Sequence, residues 1–301
     1  YTQGGEVLAF PDTNGDGVAD TTMRVITGLT NRPHGIAFYD GYLFIAEENR
    51  VSRYKYLNNG NVGEREHVVD LPTGNDHVSR TVGFSPSGKM YVSVGSSCNN
   101  CIEPRRENAA ILEFNTDGSG QDIFAEGLRN AVGFVFHPET AQMWATENGR
   151  DWLGDDLPPD EINIVTKGNH YGWPYCYGKN IVDPEYNNEF FCSNATPATW
   201  GVQAHSATLG LRFIEGSQFA DWSGDILVGF HGSWNRSVPT GYKVVRLDVS
   251  GNSIVAEDDF ITGWLKGGSA SGRPVDVIFD SQGALYISDD KLGVIYKVTK
   301  N

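Results

Sequence analysis

The chain has 301 residues, 39% of them hydrophobic and 12% aromatic, enough to bury a core, which excludes a disordered polypeptide. Its formal net charge of −15 excludes a broad nucleic-acid surface, which needs clustered Lys and Arg, but leaves room for one small basic pocket. The 36 glycines and 13 prolines are spread evenly rather than gathered into a linker, so a single domain over residues 1–301, built of short elements and tight turns, is expected.

In chain order, residues 5–10 and 22–29 read as two strands around the turn-rich segment Asp12-Thr-Asn-Gly-Asp-Gly-Val-Ala-Asp20. A two-strand phrase then recurs. Gly35-Ile-Ala-Phe precedes Tyr42-Leu-Phe-Ile-Ala-Glu, and Gly83-Phe-Ser-Pro precedes Lys89-Met-Tyr-Val-Ser-Val-Gly. Gly133-Phe-Val-Phe precedes Gln142-Met-Trp-Ala-Thr-Glu, and Gly210-Leu-Arg-Phe precedes Asp225-Ile-Leu-Val-Gly-Phe. Asp276-Val-Ile-Phe precedes Ala284-Leu-Tyr-Ile-Ser-Asp. Each phrase is strand, turn, strand, and a third strand follows at residues 51–56, 110–115, 243–248 and 294–299. Repeating units of three or four strands are the mark of an all-β propeller. The ends do not balance: residues 5–29 supply only the third and fourth strands of a blade. Six blades with an incomplete first blade are therefore favoured, five being the alternative.

Four cysteines stand as Cys98 and Cys101, then Cys176 and Cys192. No second CxxC exists to complete a zinc site and no His follows Cys101, so two structural disulfides, 98–101 and 176–192, are expected, and with them a secreted or periplasmic location. Asn194-Ala-Thr and Asn235-Arg-Ser are glycosylation sequons. No apolar run is long enough to insert in a membrane, and a start at Tyr1 without Met suits a processed or truncated protein.

In a propeller the residues just before each innermost strand face the central pocket. Here they are Arg32 and His34, Asp76 with His77 and Arg80, Arg129 with Asn130, His205, and Arg273. Converging Arg and His residues in an acidic protein describe a pocket for an anionic ligand. Asp12, Asn14, Asp16, Val18 and Asp20 fall at alternate positions, like the start of an EF-hand loop, although the closing Glu is replaced by Met23. These residue types also form ordinary turns, so Ca²⁺ binding and a plain hairpin loop both stand. Tyr171, Trp173, Trp200 and Trp234 suit either stacking on a bound ligand or packing between blades.

Seven motifs, in order, carry a resemblance. They are the 12–20 segment, Gly95-Ser-Ser-Cys-Asn-Asn-Cys101, Arg129-Asn-Ala-Val-Gly133, the acidic run Glu147–Glu161, Tyr171-Gly-Trp-Pro-Tyr-Cys176, His231-Gly-Ser-Trp-Asn-Arg236 and Gly272-Arg-Pro-Val-Asp276. At these residues the chain resembles the quinoprotein sugar dehydrogenases: more closely the sorbosone dehydrogenase group and its fungal pyranose-oxidising relatives, more distantly soluble glucose dehydrogenase.

The resemblance implies pyrroloquinoline quinone (PQQ) and Ca²⁺ as cofactors. It makes His77 the general base that takes a sugar hydroxyl proton while hydride leaves for the quinone. Arg129 and Asn130 become donors at the quinone carbonyl where negative charge develops. Arg273 grips the cofactor carboxylates. The glucose dehydrogenases carry a second arginine where this chain has Val275, so Arg32, Arg80, Asn235, Arg236 and His205 are candidates to complete the cofactor pocket. Backbone carbonyls of Gly149 and Arg150 fall at Ca²⁺-ligand positions. A sugar substrate and a separate electron acceptor such as a cytochrome follow, with no nucleic acid and no membrane insertion. The competing readings are a Ca²⁺-dependent, lactonase-like propeller hydrolase, which would want axial carboxylates, and a binding propeller without chemistry.

Overall fold

A computed structural model describes residues 5–216 and 218–300. The chain starts with a two-stranded sheet of β1 (Val7–Ala9) and β2 (Met23–Ile26). The first blade is β3 (Gly35–Tyr39), β4 (Tyr42–Glu47), β5 (Arg50–Asn58) and β6 (Asn61–Asp70), paired in that order. The second is β7 (Val82–Phe84), β8 (Met90–Val94), β9 (Ala110–Phe114) and β10 (Asp122–Glu126). The third begins with β11 (Phe134–Phe136), β12 (Met143–Glu147) and β13 (Asp160–Val165). It then detours through the hairpin β14 (Cys176–Tyr177) and β15 (Ile181–Val182) and one helical turn, α1 (Glu189–Cys192), before closing with β16 (Trp200–Val202). The fourth is β17 (Thr208–Phe213), β18 (Ile226–Phe230), β19 (Lys243–Ser250) and β20 (Ser253–Ile261). After the small hairpin β21 (Leu265–Lys266) and β22 (Ser269–Ala270), the fifth blade has three strands: β23 (Pro274–Phe279), β24 (Leu285–Asp289) and β25 (Val294–Val298).

The all-β propeller and its meandering antiparallel blades follow the sequence expectation, but the described residues form five blades rather than the favoured six. Residues 5–29 do not make a blade of their own. Ile26 and Leu29, with Val7 and Val25 beside them, pack on Leu43, Ile45, Tyr54 and Val62 of the first blade. Two strands alone cannot bury both faces of a sheet, so this hairpin borrows the core of its neighbour.

Each interface between consecutive blades is one apolar cluster. Phe44 and Val51 of the first blade meet Met90 and Leu112 of the second. Ile111 meets Met143 and Ala145, Trp144 and Ile162 meet Phe213 and Val228, and Leu227 and Val244 meet Val277 and Leu285. The glycine that opens the repeated phrase has a steric reason. A Cβ at Gly133 would stand 2.1 Å from Leu209 O, and one at Gly210 would stand 2.7 Å from Asp276 Cα. Only glycine lets the next innermost strand approach so closely. The fifth blade has Asp276 at this position, and among the described residues its innermost strand and that of the first blade border an open seam. The innermost strands flanking that seam expose Ile36, Phe38 and Ile278.

Both expected disulfides are formed, Cys98–Cys101 and Cys176–Cys192, with Cα atoms 6.1 and 5.8 Å apart. No helix among the described residues is long and apolar enough to cross a membrane.

Candidate functional site

The loops entering the innermost strands and those leaving the second strands lie at one end of the propeller, where hydrogen bonds join neighbouring blades. Ser96 N–H donates to Arg129 O (2.7 Å) from the second blade to the third. Asn148 Nδ2 donates to Thr208 O (2.8 Å) from the third to the fourth. Arg273 Nε of the fifth donates to His231 O of the fourth (3.1 Å). The rim is thus a connected polar network above the apolar interfaces. Arg32, Trp152 and His205 in these loops have φ of +50°, +73° and +64°, a conformation that side chains ordinarily avoid.

His77 sits at the centre of the second blade's rim. Its Nδ1 is 2.8 Å from Ser96 Oγ and 3.3 Å from Ser96 O. Ser96 Oγ donates its only proton to Cys98 O at 2.7 Å, so towards His77 it must accept. Nδ1 therefore carries the ring proton, and Nε2 keeps its lone pair with no protein partner among the described residues. Burial, then the field of Arg129, pulls the His77 pKa down to about 3, leaving the ring neutral at physiological pH. Asp76 is exposed and makes no bond to the ring among the described residues; it belongs to the turn, and Ser96 is the residue that orients His77.

Asn130 lies beside His77. A Cβ built on Gly95 would stand 2.4 Å from His77 Cβ and 3.0 Å from Asn130 Oδ1, so the two side chains meet over that glycine. The Asn130 side-chain amide makes no protein hydrogen bond among the described residues, whereas its backbone N–H is held by Glu147 Oε1 at 3.0 Å.

The arginines divide into two groups. Arg80 is wholly buried and donates to the carbonyls of His77 (2.8 Å), Ser79 (3.0 Å) and Pro72 (2.9 Å). In this arrangement it braces the His77 loop from inside. Arg129 is also buried, with Nε on Asn99 O (2.8 Å), Nη1 on Asn148 O (3.1 Å) and Gly149 O (2.9 Å), and Nη2 on Asn99 Oδ1 (2.8 Å). Arg32 is the freest, with one acidic partner, Glu48, at 3.5 Å. Arg273 caps the Gly232 carbonyl at 2.5 Å and lies over the Tyr242 ring at 5.5 Å.

On the fourth blade's side, His205 Nε2 is 2.9 Å from Gly154 O, and Asn235 Nδ2 donates to Asp151 Oδ1 at 2.6 Å. Arg236 reaches back to Asp155 O at 2.5 Å. His205, Asn235 and Arg236 thus clamp the 147–161 loop, and Asn235 Oδ1 is buried without a partner. Trp152 and Trp234, both exposed, meet edge to face at 5.4 Å across the same loops. Tyr171 and Trp173 are buried in packing, and Trp200 bonds Glu257.

Carboxylates at the ends of second strands were missed as site residues, although the repeated phrase displays them. Glu47 Oε1 accepts from Asn31 N–H (3.2 Å), Glu147 from Asn130 N–H, and Asp289 Oδ1 from Arg273 N–H (3.0 Å). Each fixes the backbone of a residue at the pocket entrance. Asp160 acts likewise across blades, accepting from Gly149 N–H (2.9 Å) and Ala207 N–H (2.7 Å).

Of the two candidate Ca²⁺ positions, the Gly149 carbonyl already accepts from Arg129, while the Arg150 side chain is buried in a bridge to Asp183 (3.1 Å) and Glu185 (2.5 Å). In the exposed 12–20 loop, Asp12 accepts from Gly15 and Gly17 N–H, Asn14 from Asp16 N–H, Asp16 from Val18 N–H, and Asp20 from Thr13. The side-chain oxygens there are turned on the loop's own N–H groups.

The chain is similar to known proteins. A family model described as Glucose / Sorbosone dehydrogenase matches residues 44–297. An uncharacterized protein of Borreliella burgdorferi is 34% identical over 92% of this chain and 78% of its own length. A pyrroloquinoline quinone-dependent sugar dehydrogenase of Hypocrea jecorina is 23% identical over 96% of this chain and 79% of its own. Among solved structures, the holo form of the pyranose dehydrogenase PQQ domain from Coprinopsis cinerea superposes with a TM-score of 0.84 at 22% identity. That superposition covers 97% of this chain and 87% of the other and shows the shared propeller.

Proposed function

The chain belongs to the glucose / sorbosone dehydrogenase family, and on that footing we propose that it is a quinoprotein oxidoreductase that oxidises a pyranose or sugar aldehyde with His77 as general base. The observation that carries this reading is the His77 imidazole, neutral, protonated on Nδ1 through Ser96, and with Nε2 free beside the unpaired Asn130 amide. A base so arranged receives a hydroxyl proton without first losing one.

The donor set suits an anionic, carboxylate-bearing quinone. Arg32 is almost unpaired, the Asn130 amide is free, and Arg273 stands against an aromatic ring at the rim. Bound pyrroloquinoline quinone would supply the hydride acceptor, polarised by Ca²⁺. The chain's own residues do the rest. His77 Nε2 takes the hydroxyl proton. Asn130, with Arg129 behind it, offers donors where negative charge grows. Arg32 and Arg273 hold carboxylates. Asn235, Arg236 and His205 keep the 147–161 loop over the pocket.

Ca²⁺ belongs, on this reading, at the Gly149 and Arg150 carbonyls. The guanidinium on the Gly149 oxygen competes with a cation there, so the Arg150 oxygen is the freer ligand. The loop of Asp12, Asn14, Asp16, Val18 and Asp20 is a second position, where binding must displace its internal hydrogen bonds. Electrons leave to an external acceptor such as a cytochrome, and the two disulfides suit an extracellular or periplasmic setting. The hydrolase alternative wants carboxylates open to the axis. Glu147 and Asp160 instead spend their oxygens on backbone N–H groups.

Reconstitution tests the proposal. The chelator-stripped protein is given Ca²⁺ and pyrroloquinoline quinone, and dye reduction is followed with a panel of aldoses, ketoses and sugar aldehydes. Turnover that needs both additions and falls by about 100-fold or more in His77→Ala is expected. Failure of the wild type to bind the quinone in calorimetry would overturn it.

A further inference from the structure

Arg129 is buried, yet its nearest carboxylate, Asp151 Oδ2, is 3.5 Å away. One long contact to a carboxylate leaves the other N–H groups of a buried guanidinium to be held by dipoles. Asn99 supplies more of these than any other residue: its carbonyl takes Nε and its side-chain Oδ1 takes Nη2, both at 2.8 Å. The same Oδ1 accepts from Asp151 N–H at 2.9 Å, and Nδ2 donates back to Asp151 O at 3.4 Å. One amide thus joins the guanidinium to the backbone of the 147–161 loop, whose Asp151 carboxylate accepts from Asn235. Asn99 sits inside the ring closed by Cys98–Cys101, and Cys98 O in that ring accepts the Ser96 hydroxyl that orients His77. The ring therefore touches both halves of the candidate site.

We propose that Asn99 is a positioning residue, the one that holds the Arg129 guanidinium and the 147–161 loop in their relative places. The inference rests on the quinoprotein reading for its catalytic consequence, but its geometric content does not need the cofactor. With Oδ1 removed, Nη2 keeps only the distant Asp151 oxygen. The guanidinium then turns towards that carboxylate and away from the Gly149 carbonyl.

The test compares Asn99→Ala and Asn99→Asp in the full chain, the second keeping an acceptor where Oδ1 stands. In the cofactor-free protein, rotation of the Arg129 guanidinium is read from its side-chain nitrogen resonances, assigned by their loss in Arg129→Lys. Asn99→Ala should speed this rotation by about tenfold, the equivalent of one hydrogen bond to a charged group, while Asn99→Asp leaves it slow. In the reconstituted enzyme, Asn99→Ala should lower kcat by on the order of 100-fold with little change in the sugar KM. The same substitution should add nothing in an Arg129→Lys background. Unchanged rotation in Asn99→Ala, or a loss that is simply additive with Arg129→Lys, overturns the proposal. Altered rotation in a protein that binds no quinone sustains the positioning role and sinks the catalytic reading instead.

Discussion

The rims of the first and third blades use the same carboxylate to opposite ends. Glu47 and Glu147 both close a second strand and both hold the backbone N–H at the entrance to their own innermost strand. Around Glu47 the blade places Arg50 at 2.9 Å and Arg65 on the same oxygen. Burial pushes this carboxyl up, but the two arginines and Asn31 outweigh it and hold it below the usual range. Around Glu147 the cross-strand partner is Glu161, directly opposite in the β12–β13 register, and no salt bridge to Lys or Arg forms among the described residues. Burial, then the neighbouring Glu161, raises Glu147 well above the ordinary carboxylate range, and burial takes Glu161 up to about 7. One rim has satisfied its charges. The other keeps a buried acidic pair beside the buried Arg129 cation, the kind of separation found where chemistry is done.

Five substitutions would break or sharpen that contrast. The largest effect is expected for Arg129→Ala, which strands the carbonyls of Asn99, Asn148 and Gly149 and should cost about 3–5 kcal/mol in urea unfolding. Arg65→Ala on the first blade, at a partly exposed side chain, should cost about 1 kcal/mol; equal losses would erase the distinction. Next, Glu47→Gln should destabilise by about 2 kcal/mol, since it leaves Arg50 and Arg65 without their anion.

Glu147→Gln should act in the reverse direction and depend on pH. A carboxyl whose folded pKa is raised contributes stability at low pH that is lost as pH rises through that pKa. Removing its charge should therefore raise stability by about 1 kcal/mol at pH 8 and leave it unchanged at pH 5, read from thermal melts. Destabilisation at both pH values would show that Glu147 is balanced by a positive charge, as Glu47 is. The smallest effect belongs to the seam. Phe38→Ser, at a side chain 64% exposed, should change stability by no more than about 0.5 kcal/mol. A larger loss would mean that the seam is buried in solution.

Much of this was legible before folding was considered. The alternating strands, the turns and both disulfide pairs are local patterns, and they stand where the sequence suggested. His77 and Asn130 were singled out and do come together, with Gly95 as the glycine that permits it. Arg80 and Arg129 could not be told apart, because both precede an innermost strand in similar company. Ser96 gave no signal as a serine among serines. Glu47 and Glu147 ended the same repeated phrase and looked alike.

The sequence by itself determined the propeller and the disulfide-forming cysteines, because periodicity, turn chemistry and cysteine spacing act over a few neighbouring residues. Tertiary structure alone decided the number of blades, the inward turn of Arg80, the tautomer of His77 and the opposite charge environments of Glu47 and Glu147. Those depend on partners distant along the chain: Asn99 stands 30 residues from Arg129, and Asn235 stands 84 from Asp151. Burial and electrostatic fields sum over everything packed nearby, and no local pattern records which distant group will arrive.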